Sequence, residues 1–158
     1  QICTIVHTSS KMNRVNNMQQ LVSLALTYKS AYVYGGYVRD TIIRSDHDKV
    51  NDIDIRFEDE EELYHFMDIL KVVYGNKFEN HGIVYDYHEI FKFDVHKLNI
   101  DGIDMDISIL KDDSSSRPEI DFTCNIFGFN KDGIFLHCDK PKESMVSHNF
   151  FIDMFDLT

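Results

Sequence analysis

Two adjacent glycines, Gly35 and Gly36, close the apolar stretch SAYVYGG, and an Asp-x-Asp pair, Asp52 and Asp54, follows in DIDIRF. Glycines at the end of a strand let the backbone come close to a ligand. Their N–H groups, together with the N-terminus of a following helix, suit phosphate oxygens. In DIDIRF, Ile53, Ile55 and Phe57 alternate with Asp52, Asp54 and Arg56, the period-two pattern of a half-buried strand. Both aspartates then share one face, about 7 Å apart along the strand. Like charges so placed are costly unless something positive sits between them, so a hard cation, Mg²⁺ or Mn²⁺, is the expected occupant.

A second acidic set lies downstream. FKFDVHKLNI and IDMDISIL flank Asp101-Gly102, a dipeptide that tolerates the positive φ angles of a type I′ turn and so predicts a hairpin. Asp104, Asp106 and Ser108 share a face of its second strand, and either aspartate can join the first pair if the two strands are neighbours. Three carboxylates around two divalent ions form an arrangement that aligns a nucleoside triphosphate and activates an attacking hydroxyl.

At these residues the chain resembles a known family. YVYGGYVRDTIIR followed by NDIDIRF is similar to the signature of the head domain of the class II CCA-adding enzymes and bacterial poly(A) polymerases, members of the DNA polymerase beta-like nucleotidyltransferase superfamily. The family pattern, GGxVRD and then DxD, is met by Gly35, Gly36, Val38, Arg39, Asp40, Asp52 and Asp54. A second family motif, RRDFTxNA, is met in its DFTxN part by Asp121, Phe122, Thr123 and Asn125, while Glu119 and Ile120 stand where the two arginines would be. Asp106 and Lys111 match a third acidic residue and the basic residue five positions after it.

The resemblance covers roughly residues 30 to 138 and implies an α+β nucleotidyltransferase fold, a small mixed β-sheet flanked by helices. It implies Asp52 and Asp54 as metal ligands, Asp106 as metal ligand or general base, and Gly35 and Gly36 on the triphosphate. Arg39 and Asp40 would support the site, as an internal ion pair or as ligand contacts, and Asp121 and Asn125 would lie at the nucleotide ribose. The implied reaction is Mg²⁺-dependent transfer of a nucleoside monophosphate from an NTP to an acceptor hydroxyl, first of all an RNA 3′ end, with release of pyrophosphate. The missing arginine pair removes positive charge that Arg117 replaces only in part. Within these residues there is no room for the neck, body and tail domains that choose the base and grip tRNA in the family, so RNA contact would call for a partner protein. Two other readings stand beside it: transfer to a small molecule or a protein, and a catalytically silent nucleotide-binding regulatory module.

The elements that must position these groups follow from periodicity. Val15, Met18, Val22, Ala25 and Leu26 predict an amphipathic helix over 12–29, SAYVYGG a short strand, and 37–44 a short helix opening just after the glycines. The acidic run at 58–62 opens a helix to about Val73, where carboxylates favour the positive end of the helix dipole. IDFTCNIFGFN reads as a short helix or turn, KDGIF as a turn into a strand, and Phe150, Phe151, Met154 and Phe155 as a closing helix in the extension 139–158. The expectation is one α+β domain of 158 residues.

Composition narrows the partners. A formal charge of −11 argues against a general nucleic-acid-coating protein and leaves room only for a local basic groove. Three widely spaced cysteines, Cys3, Cys124 and Cys138, fit reduced thiols better than a disulfide framework or structural zinc. No apolar run approaches the roughly 20 residues of a membrane span. A cytoplasmic location without membrane contact is expected, with a first residue, Gln1, that points to processing or cutting upstream. High Asn, Asp, Ile and Lys usage resembles that of AT-rich genomes, viral and phage genomes among them.

Overall fold

In the computed structural model of the chain, the described residues are 2–43, 52–87, 92–111 and 127–136. They form a mixed α+β fold whose sheet carries helices on one face. The first helix, α1 (Ile2–Ala25), begins ten residues before the expected start and ends four before the expected stop. Met18, Leu21, Val22 and Ala25 form its buried stripe. Strand β1 (Ala31–Tyr34) leads through Gly35, whose φ is 74°, into a π-helical turn at Val38–Ile43 where the sequence predicts a short helix. Strand β2 (Asp52–Phe57) matches DIDIRF residue for residue.

The acidic run does open a helix, α2 (Glu60–Tyr74), and the structure adds how. Asp59 is its N-cap, accepting from the Glu61 N–H at 2.9 Å, and Glu60, Glu61 and Glu62 crowd the first turn. Glu62 also accepts from the Ser30 N–H at 3.0 Å, which ties the helix start to the entry of β1. At the other end Gly75, with φ 55°, stops the helix and returns its N–H to the Lys71 carbonyl.

Strands β4 (Lys92–Ile100) and β5 (Ile103–Leu110) are the predicted hairpin, with φ of 52° at Asp101 and 83° at Gly102 as a type I′ turn requires. Strand β3 (Phe78–Tyr87) has no counterpart in the sequence reading. It lies at the sheet edge, carries a bulge between Asn80 and Ile83, and exposes Ile83, Val84 and Tyr85, so it lacks the alternation by which a half-buried strand is recognised. A further correction concerns FGFN, placed in a helix or turn on sequence. Strand β6 (Phe127–Asn130) pairs with β1 there, and β7 (Gly133–Leu136) follows as KDGIF predicts. The expected closing helix at 150–155 lies outside the described residues.

The seven strands run in the order β3-β4-β5-β2-β1-β6-β7, with β2 and β5 parallel and the other neighbours antiparallel. Cross-strand partners share a face, so the register divides the sheet cleanly. On one face Val33, Ile53, Ile55, Phe57, Met105, Ile107 and Ile109 are buried in one core with α1 and α2. On the other stand Tyr34, Asp52, Asp54, Arg56, Asp104, Asp106, Ser108 and Lys97. No helix among the described residues is long and apolar enough to cross a membrane.

Phe66 of α2 is fully buried, with ring centroids 5.7 Å from Tyr28 and 5.6 Å from Phe57. Phe66→Ala is expected to lower stability by about 3–5 kcal/mol, through lost transfer energy and the cavity left behind. Urea unfolding checks this, and a loss under about 1 kcal/mol would show a core able to collapse around the gap.

Candidate functional site

The polar sheet face gathers the predicted carboxylates by register. Asp54 of β2 stands opposite Asp106 of β5, and Asp52 opposite Asp104. The parallel pairing brings this about, since Ile53 and Ile55 bury beside Met105 and Ile107 and leave the intervening aspartates on the outer face. Asp104 is exposed and accepts from Asn99 Nδ2 at 2.9 Å, which makes it a support of the hairpin rather than a member of the cluster.

Asp54 carries the electrostatic burden. Burial first, then the charges of Asp52 and Asp106, push its carboxyl up to about 7, with Lys97 and Arg56 pulling the other way. A carboxylate crowded by two others in a partly dry site favours any cation that reaches it. Carboxylate oxygens are also the hard donors that Mg²⁺ and Mn²⁺ prefer. The residues therefore fit a divalent ion, with Asp52, Asp54 and Asp106 as the side chains that would hold it. Among the described residues no three acidic, His or Cys side chains converge on one point as they stand. Asp106 Oδ2 accepts from Lys97 Nζ at 2.7 Å.

Gly35 borders this cluster directly. A Cβ built on it would stand 3.1 Å from Asp54 Oδ2, and its φ of 74° is a conformation that side chains disfavour. Gly36 backs onto Arg39, where a Cβ would come within 3.3 Å of Nη2. Arg39 grips Asp40 with two parallel bonds, Nε to Oδ1 at 2.9 Å and Nη2 to Oδ2 at 3.0 Å, and Asp40 is buried. That fork fixes the turn after the glycines. Of the remaining expected residues, Asp121 and Asn125 lie outside the described residues, as does Arg117.

Two basic residues that sequence reasoning missed sit on the same face. Lys97 of β4 is the direct cross-strand partner of Asp106, whereas Lys111, the basic residue paired with Asp106 by spacing, turns to Glu60 of α2 and lies 3.8 Å from Asp94. The hydrogen bond it donates to Asp106 holds the pKa of the Lys97 ammonium above its ordinary range, with burial opposing. A signal for Lys97 did exist. A two-residue turn fixes hairpin register, and Lys97 and Asp106 are each the fourth residue out from Asp101-Gly102.

Arg56 is the second. It lies two residues beyond Asp54, buried, with its guanidinium 4.6 Å from the Tyr34 ring centroid and 4.3 Å from that of Phe93. Nε donates to Ser108 Oγ at 3.2 Å and Nη2 to the Tyr34 hydroxyl at 3.4 Å. Nη1 is buried with no hydrogen-bond partner among the described residues. The strand therefore places a positive charge beside the carboxylates within a layer of aromatic rings.

The fold and site define a mixed α+β sheet domain with carboxylates gathered on the sheet face opposite the described helices. One solved structure, described as "a putative nucleotidyltransferase" from Thermotoga maritima, is similar at a TM-score of 0.40 and 16% identity, over 92% of this chain and 84% of that one. No family model matches the chain, and no curated protein matches it.

Two outcomes follow from the geometry. The folded protein holds a proton on Asp54 that the unfolded chain releases near the ordinary value of 3.8, so stability falls as pH rises through the window up to about 7 and levels off above it. Thermal unfolding in EDTA between pH 4 and 8 reads this directly, with a limiting slope of about 1.4 kcal/mol per pH unit that Asp54→Asn removes. Gly35→Ala, strained by about 1–2 kcal/mol through its positive φ, is expected to lower Tm and to displace the Asp54 carboxylate. A Gly35→Ala protein of unchanged Tm and unchanged pH slope would contradict the close approach.

Proposed function

We propose that this chain is a divalent-metal-dependent nucleotidyltransferase, moving a nucleoside monophosphate from an NTP to an acceptor hydroxyl with release of pyrophosphate. An RNA 3′ end is the acceptor we favour, on the resemblance of GGYVRD, DID and DFTCN to the CCA-adding and poly(A) polymerase head domains. The observation that carries the reading is the register of Asp54 against Asp106 on the parallel pair β2 and β5, with Asp52 beside them and Gly35 against Asp54.

Each residue has a task in that reaction. The acceptor oxygen forms a bond to the α-phosphorus as the bond from that phosphorus to the pyrophosphate oxygen breaks. Asp52 and Asp54 would hold the divalent ion, and Asp106, on the strand beside them, would accept the hydroxyl proton or serve as a third ligand. A bound divalent ion supplies charge neutralisation for the phosphates and a lowered pKa for the attacking hydroxyl. Gly35 and Gly36 present backbone rather than side chain to the phosphates, and the Arg39–Asp40 fork keeps that turn in shape. Mg²⁺ or Mn²⁺ serves as the ion, NTP as the donor, and a protein partner supplies further RNA contacts.

The test is incubation with Mg²⁺, each α-labelled NTP and a mixed small-RNA pool, beside Asp54→Asn. Label is expected in RNA and lost by on the order of a thousandfold in the variant, the several kcal/mol that a metal site contributes. Because the substitution also relieves like-charge crowding, the variant's Tm at pH 8 in EDTA is expected to rise rather than fall. Label in protein or a small molecule moves the acceptor assignment. NTP binding without any transfer would replace the enzyme by a silent nucleotide-binding module.

A further inference from the structure

Lys97 touches the carboxylate cluster, and what it touches is an oxygen the cluster needs. Its Nζ lies 2.7 Å from Asp106 Oδ2, the two residues face each other across the β4–β5 ladder, and its side chain is 43% exposed. Lys97 therefore reaches the cluster from the open side, where a ligand would also arrive. An oxygen that accepts so short a bond from an ammonium cannot turn the same lone pair to a divalent ion. Two cations held at one carboxylate also repel.

Resting on the nucleotidyltransferase reading, we propose that Lys97 is a displaceable counter-cation that couples divalent-ion binding to nucleotide binding. In the metal-free protein it compensates Asp106 and so keeps three crowded carboxylates tolerable. When a divalent ion takes Asp106, the ammonium swings off that oxygen on its flexible four-carbon stem. With the aspartates engaged by the ion, the phosphate chain of an incoming nucleoside triphosphate offers the ammonium a new anionic partner. Ion and nucleotide thus favour each other through one side chain, and by linkage each raises the affinity of the other by the same factor.

The arrangement predicts a split that a purely structural lysine would not produce. Removing the charge should strengthen ion binding by the protein alone and weaken the help that nucleotide gives it. Lys97→Met keeps the stem and drops the ammonium. Lys97→Arg keeps the charge, and Asp54→Asn and Asp106→Asn remove proposed ligands. The experiment titrates Mn²⁺ into each protein, with free Mn²⁺ read by electron paramagnetic resonance, with and without a non-hydrolysable ATP analogue.

Without nucleotide, Lys97→Met is expected to bind Mn²⁺ at least about fivefold tighter than the wild type, the lower end of ordinary coupling between sites. The analogue should raise wild-type Mn²⁺ affinity and raise that of Lys97→Met much less, while Lys97→Arg follows the wild type. The Mn²⁺-induced rise in Tm gives an independent reading and should be larger in Lys97→Met. Equal or weaker Mn²⁺ binding by a folded Lys97→Met protein, with wild-type binding lost in Asp54→Asn and Asp106→Asn, overturns the inference and leaves the metal-dependent reading standing. Wild-type Mn²⁺ binding that is absent, or untouched by both aspartate substitutions, overturns the two together.

Discussion

The parallel pairing of β2 with β5 is the constraint on which the site depends. It sets Asp54 directly against Asp106 and costs the fold a crowd of like charges that Lys97 and Arg56 offset only in part. The opposite face offsets the cost. Ile53, Ile55, Phe57, Met105, Ile107 and Ile109 are buried under α1 and α2, and a shift of either strand by one residue would turn those apolar side chains outward. Burial on one face thus holds in place an arrangement on the other that electrostatics alone would scatter.

The basic groups around the cluster divide the task between access and permanence. Arg56 is buried between Tyr34 and Phe93 and bonded to Ser108, so its charge is a fixed part of the sheet face. Lys97, reaching in from the open side, is held at one end only. The third cation near the motif, Arg39, is committed to Asp40 through two bonds and shapes the turn after the glycines. A site built in this way trades stability for charge: burial and the neighbouring carboxylates resist ionisation of Asp54, so the fold weakens as its proton is lost on the way to neutral pH.

Edge and centre of the sheet differ in what they offer a reader of the sequence. DIDIRF and IDMDISIL are central strands with one apolar and one polar face, so alternation identifies them. FENHGIVYDY is an edge strand with a bulge and little burial, and FGFN spans four residues, too few for a period to emerge. The helix α1 shows the opposite case, since it extends well before the apolar positions that suggest it.

From the sequence alone came the mixed α+β class, the hairpin at Asp101-Gly102, the helix opened by the acidic run, and the choice of Asp52, Asp54 and Asp106 as the residues of interest. All of these rest on local patterns: side-chain period, turn chemistry and motif spacing. That Asp54 faces Asp106 across a parallel ladder, that Lys97 rather than Lys111 meets Asp106, and that Arg56 enters the aromatic layer were decided by tertiary structure. Strand order is set by which apolar faces bury together across the whole chain. No window of neighbouring residues contains that information, and only the hairpin's own register, with Lys97 opposite Asp106, could have been counted out beforehand.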